Sequence, residues 1–371
     1  MKKLSAALAV VLFTVPALAA DWSFFGSARM ATFYKYTDFG SANQPGTGEQ
    51  DDWGMIWDFQ TNSRLGAKVK ADKVDGYVEL ALKGTDGGDL DVGTRRAFGL
   101  WHFSDKAALK VGKDYSPVSQ MISNQVFNND DDMWGSGDFH GRRPGGLTLI
   151  LGGLEVALLT NPLTTSAGQF PANSDPDYNF PKVEARYTLK LDNFQIVPFG
   201  GFNYFQVSDT SATRAAGTLT DSADITSYVA GLTVKANIGA FYGAAVGTYG
   251  QNWGNANWNP GYNAITSSQA TLKSSGGSTN DATSYMLGMV AGVKVSDHLQ
   301  FEVGAGYRND DPDTPGSDND DFWQGYAQVV VTLAQGVYLV PEVGYQDFMD
   351  AADGQNQGYD WYAGAKWQID F

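Results

Sequence analysis

The sequence has 371 residues, a formal net charge of −16 at pH 7, no cysteine and 44 glycines. The acidic balance argues against a nucleic-acid partner, and the lack of cysteine excludes a disulfide framework and thiol chemistry. Abundant glycine together with 13% aromatic residues is typical of a chain that forms many strands and turns.

Residues 1–19 have the organisation of a secretory signal peptide. Lys2 and Lys3 precede an apolar stretch at 4–15, and residues 17–19 supply a small-x-small cleavage site. This apolar stretch is too short to span a bilayer as a helix, so we expect cleavage after Ala19, with Ala20 as the neighbouring possibility. The mature chain, 20–371, then carries a net charge of −18 because two lysines are lost.

Beyond residue 20 the sequence alternates apolar and polar residues, which is the period of a β-strand. We predict sixteen strands, at 22–36, 53–70, 76–84, 94–103, 107–113, 145–151, 154–160, 181–191, 194–207, 224–238, 240–250, 282–296, 299–308, 321–334, 336–349 and 358–371. The links alternate between short turns and long loops, and no later apolar run suits a membrane helix. An even number of strands joined in this way is typical of a transmembrane β-barrel.

Two further features favour a barrel over a repeat-rich secreted β-protein, which is the alternative. Tryptophan and tyrosine cluster near predicted strand ends, as membrane interfaces require. The sequence also stops on Phe371 at the end of an amphipathic strand, where a barrel must close onto its first strand. We therefore predict an all-β, antiparallel transmembrane barrel of the Gram-negative outer membrane, with periplasmic turns and extracellular loops. Sixteen strands enclose an aqueous channel.

Residues 114–144 form the third long loop and follow neither a helix period nor a strand period. They combine apolar residues with charged or titratable ones, and the second half holds Asp130, Asp131, Asp132, Asp138, His140, Arg142 and Arg143. A long aperiodic segment inside a compact domain is often functional, and its apolar content argues against disorder. On the second predicted strand Arg64 and Lys68 share one face, opposite Leu65, as expected if the inward face meets water.

The order of strands and loops resembles that of the general-diffusion porins, which are trimeric sixteen-stranded barrels of Gram-negative outer membranes. Local similarities lie at 63–68, 94–100 and 109–113, and the porins of sulfate-reducing bacteria are the nearest branch. The resemblance implies a homotrimer in contact with outer-membrane lipid and lipopolysaccharide, without a cofactor. It also implies that the third loop folds into the lumen and faces a basic cluster.

The residues that match this basic cluster are Arg64, Arg95 and either Arg142 or Arg143. Its acidic partners are among the four loop aspartates, whose usual motif is not spelled out here. Arg96 shares a face with Phe98 and Leu100, so we expect it to point towards lipid or a neighbouring subunit unless a bulge shifts the register.

The predicted function is passive diffusion of small hydrophilic solutes and ions, filtered by size and charge at a pore constriction. The constriction residues are Arg64, Lys68, Arg95, Asp130, Asp131, Asp132, Asp138, His140, Arg142 and Arg143. The acidic net charge predicts a modest cation preference. A substrate-specific channel, for example for a sugar or an anion, and an adhesive or structural barrel are the alternatives.

We do not expect an enzyme or a metal site. The three histidines, His102, His140 and His298, stand in neither a G-x-S-x-G nor an H-E-x-x-H context. The aspartate-rich run at 309–321 lacks calcium-loop spacing because Pro312 and Pro315 interrupt it.

Overall fold

The computed structural model describes residues 20–40, 52–83, 91–161, 174–209, 222–259, 267–273 and 278–371. The predicted signal peptide at 1–19 lies outside the described residues. Among the helices that the structure describes, none is long and apolar enough to cross a membrane.

Sixteen antiparallel strands build the described part of the molecule, and each predicted strand coincides with one of them. They are β1 (Asp21–Asp38), β2 (Asp52–Phe59 and Ser63–Ala71), β3 (Val74–Lys83), β4 (Asp91–Ser104), β5 (Ala107–Lys113), β6 (Gly145–Leu151), β7 (Leu154–Leu159), β8 (Ser174–Asp177, Lys182–Tyr187 and Leu189–Lys190), β9 (Phe194–Asp209), β10 (Ala223–Ile238), β11 (Phe241–Gln251), β12 (Ala282–Ser296), β13 (Leu299–Pro312), β14 (Asp320–Ala334), β15 (Val337–Asp347) and β16 (Tyr359–Asp370). Single helical turns lie at Phe127–Asp130 and Gly254–Ala256, and Thr271–Leu272 pairs with Thr279–Asn280.

The sheet closes into a barrel because the first strand pairs with the last. β1 and β16 run antiparallel from Ser27 opposite Asp370 to Asp38 opposite Tyr359. At the seam the backbones of Gly26 and Phe371 exchange two hydrogen bonds, of 2.7 and 3.0 Å. A closed barrel has no unpaired edge, which is the condition for a sheet to stand in lipid. The predicted closure is confirmed.

The outer face of the barrel is apolar. Along β10, Tyr228 and Leu232 are exposed, whereas Ser227, Val229 and Thr233 are buried on the opposite face. Exposed large apolar side chains recur on the other strands, as at Leu65, Val78, Val111, Leu147, Leu158, Leu287, Met289, Val303 and Val343. An apolar band on the outside of a closed barrel is the surface that lipid covers.

The protein core lies inside the barrel, between its wall and two segments that connect strands. The larger cluster joins Met133 and Phe139 of the third loop to Trp253 and Trp258, which follow β11. The second cluster packs Val126 and Phe127 against the wall residues Phe33 and Tyr362. The barrel therefore buries apolar surface against its own connecting segments.

One β-bulge corrects the expectation for Arg96. Glu79 of β3 lies opposite Arg96 of β4, but the next residue, Leu80, lies opposite Thr94, so that Arg95 is the extra residue. Such a bulge changes the direction of the side chains that follow it. Arg95 pairs with Glu79 at 2.8 Å, and Arg96 pairs with Asp114 at 2.6 Å, so both face the interior.

Candidate functional site

Residues 114–144, called the inner loop below, form a hairpin-like segment whose two limbs are joined along their length. Gln120 and Phe139 exchange backbone hydrogen bonds of 2.7 and 3.1 Å. Asp138 accepts the N–H groups of Ile122 and Ser123 at 2.7 and 3.1 Å, and its side chain is only 1% exposed. Of the four predicted aspartates, Asp138 is therefore the one that holds the loop together.

Buried carboxylates of the barrel wall hold the tip of the inner loop. Glu342 accepts the N–H groups of Val126 and Phe127 at 2.7 and 3.1 Å, and Glu302 accepts that of Asn124 at 3.0 Å. A third carboxylate, on β8, does the same for the first limb, as Glu184 accepts from Val118 at 3.2 Å. These contacts fix the loop against β8 and β13–β16.

Past its tip the inner loop reaches β1 and β16. The Asp130 carboxylate forms an ion pair with Arg29 and a second one, at 3.1 Å, with Lys366. Neither base was predicted at the site. The signal for Arg29 is present in the sequence, because it alternates with apolar residues on β1 and shares the inner face of Ser27 and Ala31.

The carboxylate of Glu79 on β3 forms ion pairs with two arginines of the barrel wall. Its carboxylate lies 2.8 Å from Arg95 Nε and 3.6 Å from Arg64 Nη1. Tyr115 at the start of the inner loop accepts hydrogen bonds from Arg95 at 3.4 Å and from Arg143 at 2.9 Å. The structure thus brings three of the predicted basic residues together through one carboxylate and one phenol.

Arg142 takes a different place from Arg143. Its guanidinium lies over the Trp134 ring, 5.5 Å from the ring centroid. Both arginines border the same cavities, so the two candidates left open by the sequence both belong to the site.

Three cavities with shared lining residues lie between the inner loop and the barrel wall, and together they are called the polar passage below. The wall side of the first two belongs mainly to β2–β5, and that of the third to β4–β5 and β8–β10. The smallest, of about 170 Å³ and called the narrow part below, is lined by both signs of charge: Arg95, Asp130, Asp131, Asp132, Asp138, His140, Arg142 and Arg143. Towards the long-loop end it adjoins a cavity of about 440 Å³ with only basic charges in its described lining: Lys83, Arg95, Lys113, Arg142, Arg143 and Lys182.

The third cavity, of about 350 Å³, lies towards the short-turn end of the barrel. Four of its described lining residues are basic, Arg96, Lys110, Arg186 and Lys235, and Asp114 is acidic. Basic side chains therefore prevail on both sides of the narrow part.

Two predicted residues stand apart from the described lining of the polar passage. Arg64 lies behind Arg95, on the shared Glu79 carboxylate. Lys68 lies closer to the short-turn end, with its Nζ atom 5.1 Å from the centroid of the Phe25 ring and 5.7 Å from that of Tyr77. The shared inner face of β2 was predicted from the sequence, but the height of each residue along the barrel was not.

Burial changes the charge of several loop side chains. Burial and the neighbouring Arg143 and Arg142 lower the pKa of His140 to about 3, so its imidazole is neutral at physiological pH. Its Nδ1 atom accepts the N–H of Arg142 at 2.9 Å. Burial raises the pKa of Asp138, and burial together with the Asp138 carboxylate raises the pKa of Asp132. Asp132 and Asp138 therefore take up protons at a higher pH than an ordinary aspartate does.

Metal binding finds no support in the part of the chain that the structure describes. No three histidine, aspartate or glutamate side chains are grouped there in a way that could hold an ion.

The sequence matches no protein-family model and no curated protein. Among solved structures, the outer-membrane channel DcaP of Acinetobacter baumannii is similar with a TM-score of 0.72 and 17% identity, over 95% of this chain and 97% of that one. The anion-selective porin of Comamonas acidovorans has a TM-score of 0.55 and 12% identity, over 95% of this chain and 100% of that one. The outer-membrane protein OmpT of Vibrio cholerae, in its trimer form, has a TM-score of 0.55 and 15% identity, over 94% of this chain and 99% of that one.

These similarities extend over nearly the whole of each chain. At such low identity they show the fold, and the fold is the one expected from the resemblance, the sixteen-stranded barrel of outer-membrane porins. The placement in the branch from sulfate-reducing bacteria stays a prediction.

Proposed function

We propose that this protein is an outer-membrane porin, a water-filled channel through which small hydrophilic solutes and ions diffuse passively. The observation that carries the proposal is the polar passage between the inner loop and the barrel wall. A closed barrel with an apolar outer band supports a position in the Gram-negative outer membrane. No bond is made or broken in this function, so the residues of the passage act as a filter and the protein is not an enzyme.

The proposal includes a homotrimer that contacts outer-membrane lipid and lipopolysaccharide and is exported by the signal peptide at 1–19. The trimer form of the similar Vibrio cholerae protein supports this assembly. Insertion of the purified protein into a planar bilayer should then raise the conductance in groups of three equal steps.

The inner loop, 114–144, is the size filter of the proposed channel. It occupies the lumen on the side of β8 and β13–β16, so that solutes pass on the side of Arg95 and Arg143. The narrow cavity there joins basic and acidic side chains across the path, and such opposed charges orient dipolar solutes as they pass.

The charges of the polar passage favour anions, in contrast to the preference expected from the net charge of the chain. Basic residues outnumber acidic ones in the cavities on both sides of the narrow part. Arg142, Arg143 and Lys235 among them form no ion pair with a described residue, whereas Asp130 pairs with both Arg29 and Lys366. Charges farther than about 10 Å from the path are screened by salt at 0.1 M, whereas charges that line it act directly. The anion selectivity of the similar Comamonas acidovorans porin agrees with this proposal.

The reversal potential in a KCl gradient tests both the channel and its selectivity. A unit charge about 5 Å from the path, in a water-like dielectric, changes the energy of an ion by about 0.8 kcal/mol, or about fourfold in its partition. Replacing Arg143 by Gln should therefore lower the anion preference by about this factor. Lys73→Gln, in a short turn away from the passage, is the matched control and should leave the reversal potential unchanged. A cation preference of the wild-type channel would contradict the proposed selectivity.

A substrate-specific channel of the same barrel type, for a sugar or an anion, is the second candidate. It is favoured by the aromatic rings of Trp134 and Tyr115, which lie against Arg142 and Arg143 at the narrow cavity. Liposome-swelling rates across a series of solutes discriminate between the two. Rates that fall smoothly with solute size indicate a sieve, and saturation by one solute indicates a specific site.

A further inference from the structure

A second connecting segment lies inside the barrel beside the inner loop. Residues 253–259, called the second inner segment below, follow β11 and hold one helical turn at Gly254–Ala256. Trp253 and Trp258 are both 0% exposed. Trp253 meets Phe139 of the inner loop edge to face, with 5.0 Å between ring centroids. The second inner segment is therefore part of the filled interior and not a solvated outer loop.

The barrel wall holds this segment by buried polar contacts. The indole N–H of Trp258 donates to Glu184 at 2.8 Å, and Lys182 donates to the carbonyl oxygen of Ala256 at 3.1 Å. On the far side Arg308 donates to the carbonyl oxygen of Asn259 at 2.6 Å. Glu184 also accepts from the inner loop, so one carboxylate fixes both segments. Contacts from two sides of the wall fix the segment as firmly as the inner loop.

The second inner segment contacts the inner loop where the latter carries its basic residues. Asn259 donates its backbone N–H to the carbonyl oxygen of His140 at 2.9 Å and its side-chain amide to that of Gly135 at 3.3 Å. Arg142 donates through Nε to the side-chain oxygen of Asn257 at 3.2 Å. Asn257 also borders the largest cavity of the polar passage.

The backbone conformation of Arg142 supports a functional role for its hydrogen bond with Asn257. Arg142 has a φ of +64°, a left-handed conformation that costs energy for a residue with a branched or long side chain. Strained residues of this kind persist where surrounding contacts fix them, and they concentrate at functional sites. Here the contacts are the N–H bond to His140, the Trp134 ring and Asn257. Asn257 itself has a φ of +54°, which asparagine tolerates well.

We propose that the second inner segment is a second wall of the constriction, and that Asn257 positions the guanidinium of Arg142 in the polar passage. The inference rests on the proposed channel function and adds a selectivity-determining residue to it. Removing the asparagine side chain lets the guanidinium leave its place, so that it attracts passing anions from a greater distance. Because the Coulomb energy falls inversely with distance, we expect a loss of about twofold in the anion-to-cation permeability ratio.

The variant that tests this is Asn257→Gly, since glycine keeps the left-handed backbone without strain and removes only the side chain. The matched control is Asn193→Gly, in an exposed short turn between β8 and β9. Reversal potentials in a KCl gradient should show the twofold loss for Asn257→Gly and the wild-type ratio for Asn193→Gly. Thermal unfolding of both variants reports whether the barrel has changed.

A double-mutant cycle shows whether Asn257 acts through Arg142. Arg142→Gln should lower the ratio more than Asn257→Gly does, and adding Asn257→Gly to Arg142→Gln should change it no further. A wild-type ratio in Asn257→Gly, or a further loss in the double variant, would overturn the positioning role while the channel itself stands. A wild-type protein without any conductance would instead refute the proposed function.

Discussion

The two sides of the inner loop differ in how they meet the barrel. On the side of β8 and β13–β16 the loop is fastened directly, with backbone N–H groups on buried glutamates and the Phe127 ring stacked on Tyr362 at 3.6 Å. On the side of β3–β5 cavities lie between the loop and the wall, and charged side chains such as Arg95 and Arg143 line them.

This difference explains how a single segment can be both rigid and selective. Buried glutamates hold the tip because they accept backbone donors that would otherwise be unsatisfied, and a buried carboxylate is itself stabilised by such donors. On the open side the start of the loop contacts the wall through Asp114 and Tyr115, and the side chains that border the cavities are available to solutes. Because the inner loop is held against one side of the barrel, the polar passage on its other side remains open to solutes.

The largest effect on the channel is expected from deletion of the central part of the inner loop. Met121–Asp138 is deleted, and Gln120 and Phe139, which already pair antiparallel, are joined by two glycines. The barrel should still fold because its strands and seam are untouched, and the unit conductance should rise on the order of twofold or more. Single-channel recordings measure this, with heat-modifiable electrophoretic mobility as the check on folding. Unchanged conductance would mean that the loop does not obstruct the path.

Weakening the fastened side should have a smaller effect. Glu342→Ala leaves the buried N–H groups of Val126 and Phe127 without their acceptor, at a cost of about 1–3 kcal/mol for each group. The tip should then leave the wall intermittently, and single channels should fluctuate between levels. Glu342→Gln keeps an acceptor oxygen and should fluctuate less. Recordings of Glu342→Ala as quiet as those of the wild type would show that the carboxylate does not hold the tip.

The smallest expected effect concerns pH and the open side. Because the pKa values of Asp132 and Asp138 are raised, these carboxyls take up protons as the pH falls, before an ordinary aspartate does. The polar passage becomes more positive, so the anion preference should increase towards acid pH, on the order of twofold. His140, with a pKa of about 3, adds no charge between pH 8 and pH 5.

Reversal potentials at pH 8 and pH 5 test this prediction. Asp132→Asn lacks one of the two titrating carboxyls and should show a smaller change between the two pH values. A preference that falls as the pH falls would contradict the assigned direction.

Much of the fold could be predicted because alternation of apolar and polar residues is a local property. The period of two marks each strand, and lipid outside and water inside require its two faces to differ. The pairing of β1 with β16 followed from the need to remove free edges in a membrane. The inner loop stood out because it lacks any period while being too apolar for a solvated loop.

The candidate site was predictable only in its residue types. Arg95 and Arg143 were named from the sequence, but Arg29 and Lys366 were not, although both lie on inner faces of strands. Arg96 was expected on the outer face unless a bulge shifted the register. One bulge does shift it and turns Arg96 inward, and a bulge leaves little trace in the alternation. The second inner segment was read as an outer loop. The sequence features that could have indicated its position inside the barrel are its asparagines and its two tryptophans.

The sequence by itself determined the number of strands, the closed barrel and the loop that has to be accommodated, because these follow from the order and period of residue types. Only the tertiary structure decided which charges meet. Asp130 forms ion pairs with Arg29 and Lys366, and Arg142 donates a hydrogen bond to Asn257. In each case the partners are more than a hundred residues apart in the sequence. The net charge of −16 sums every residue equally, whereas a permeating ion interacts with the few that line its path. The fold selects these residues, and it selects mainly basic ones.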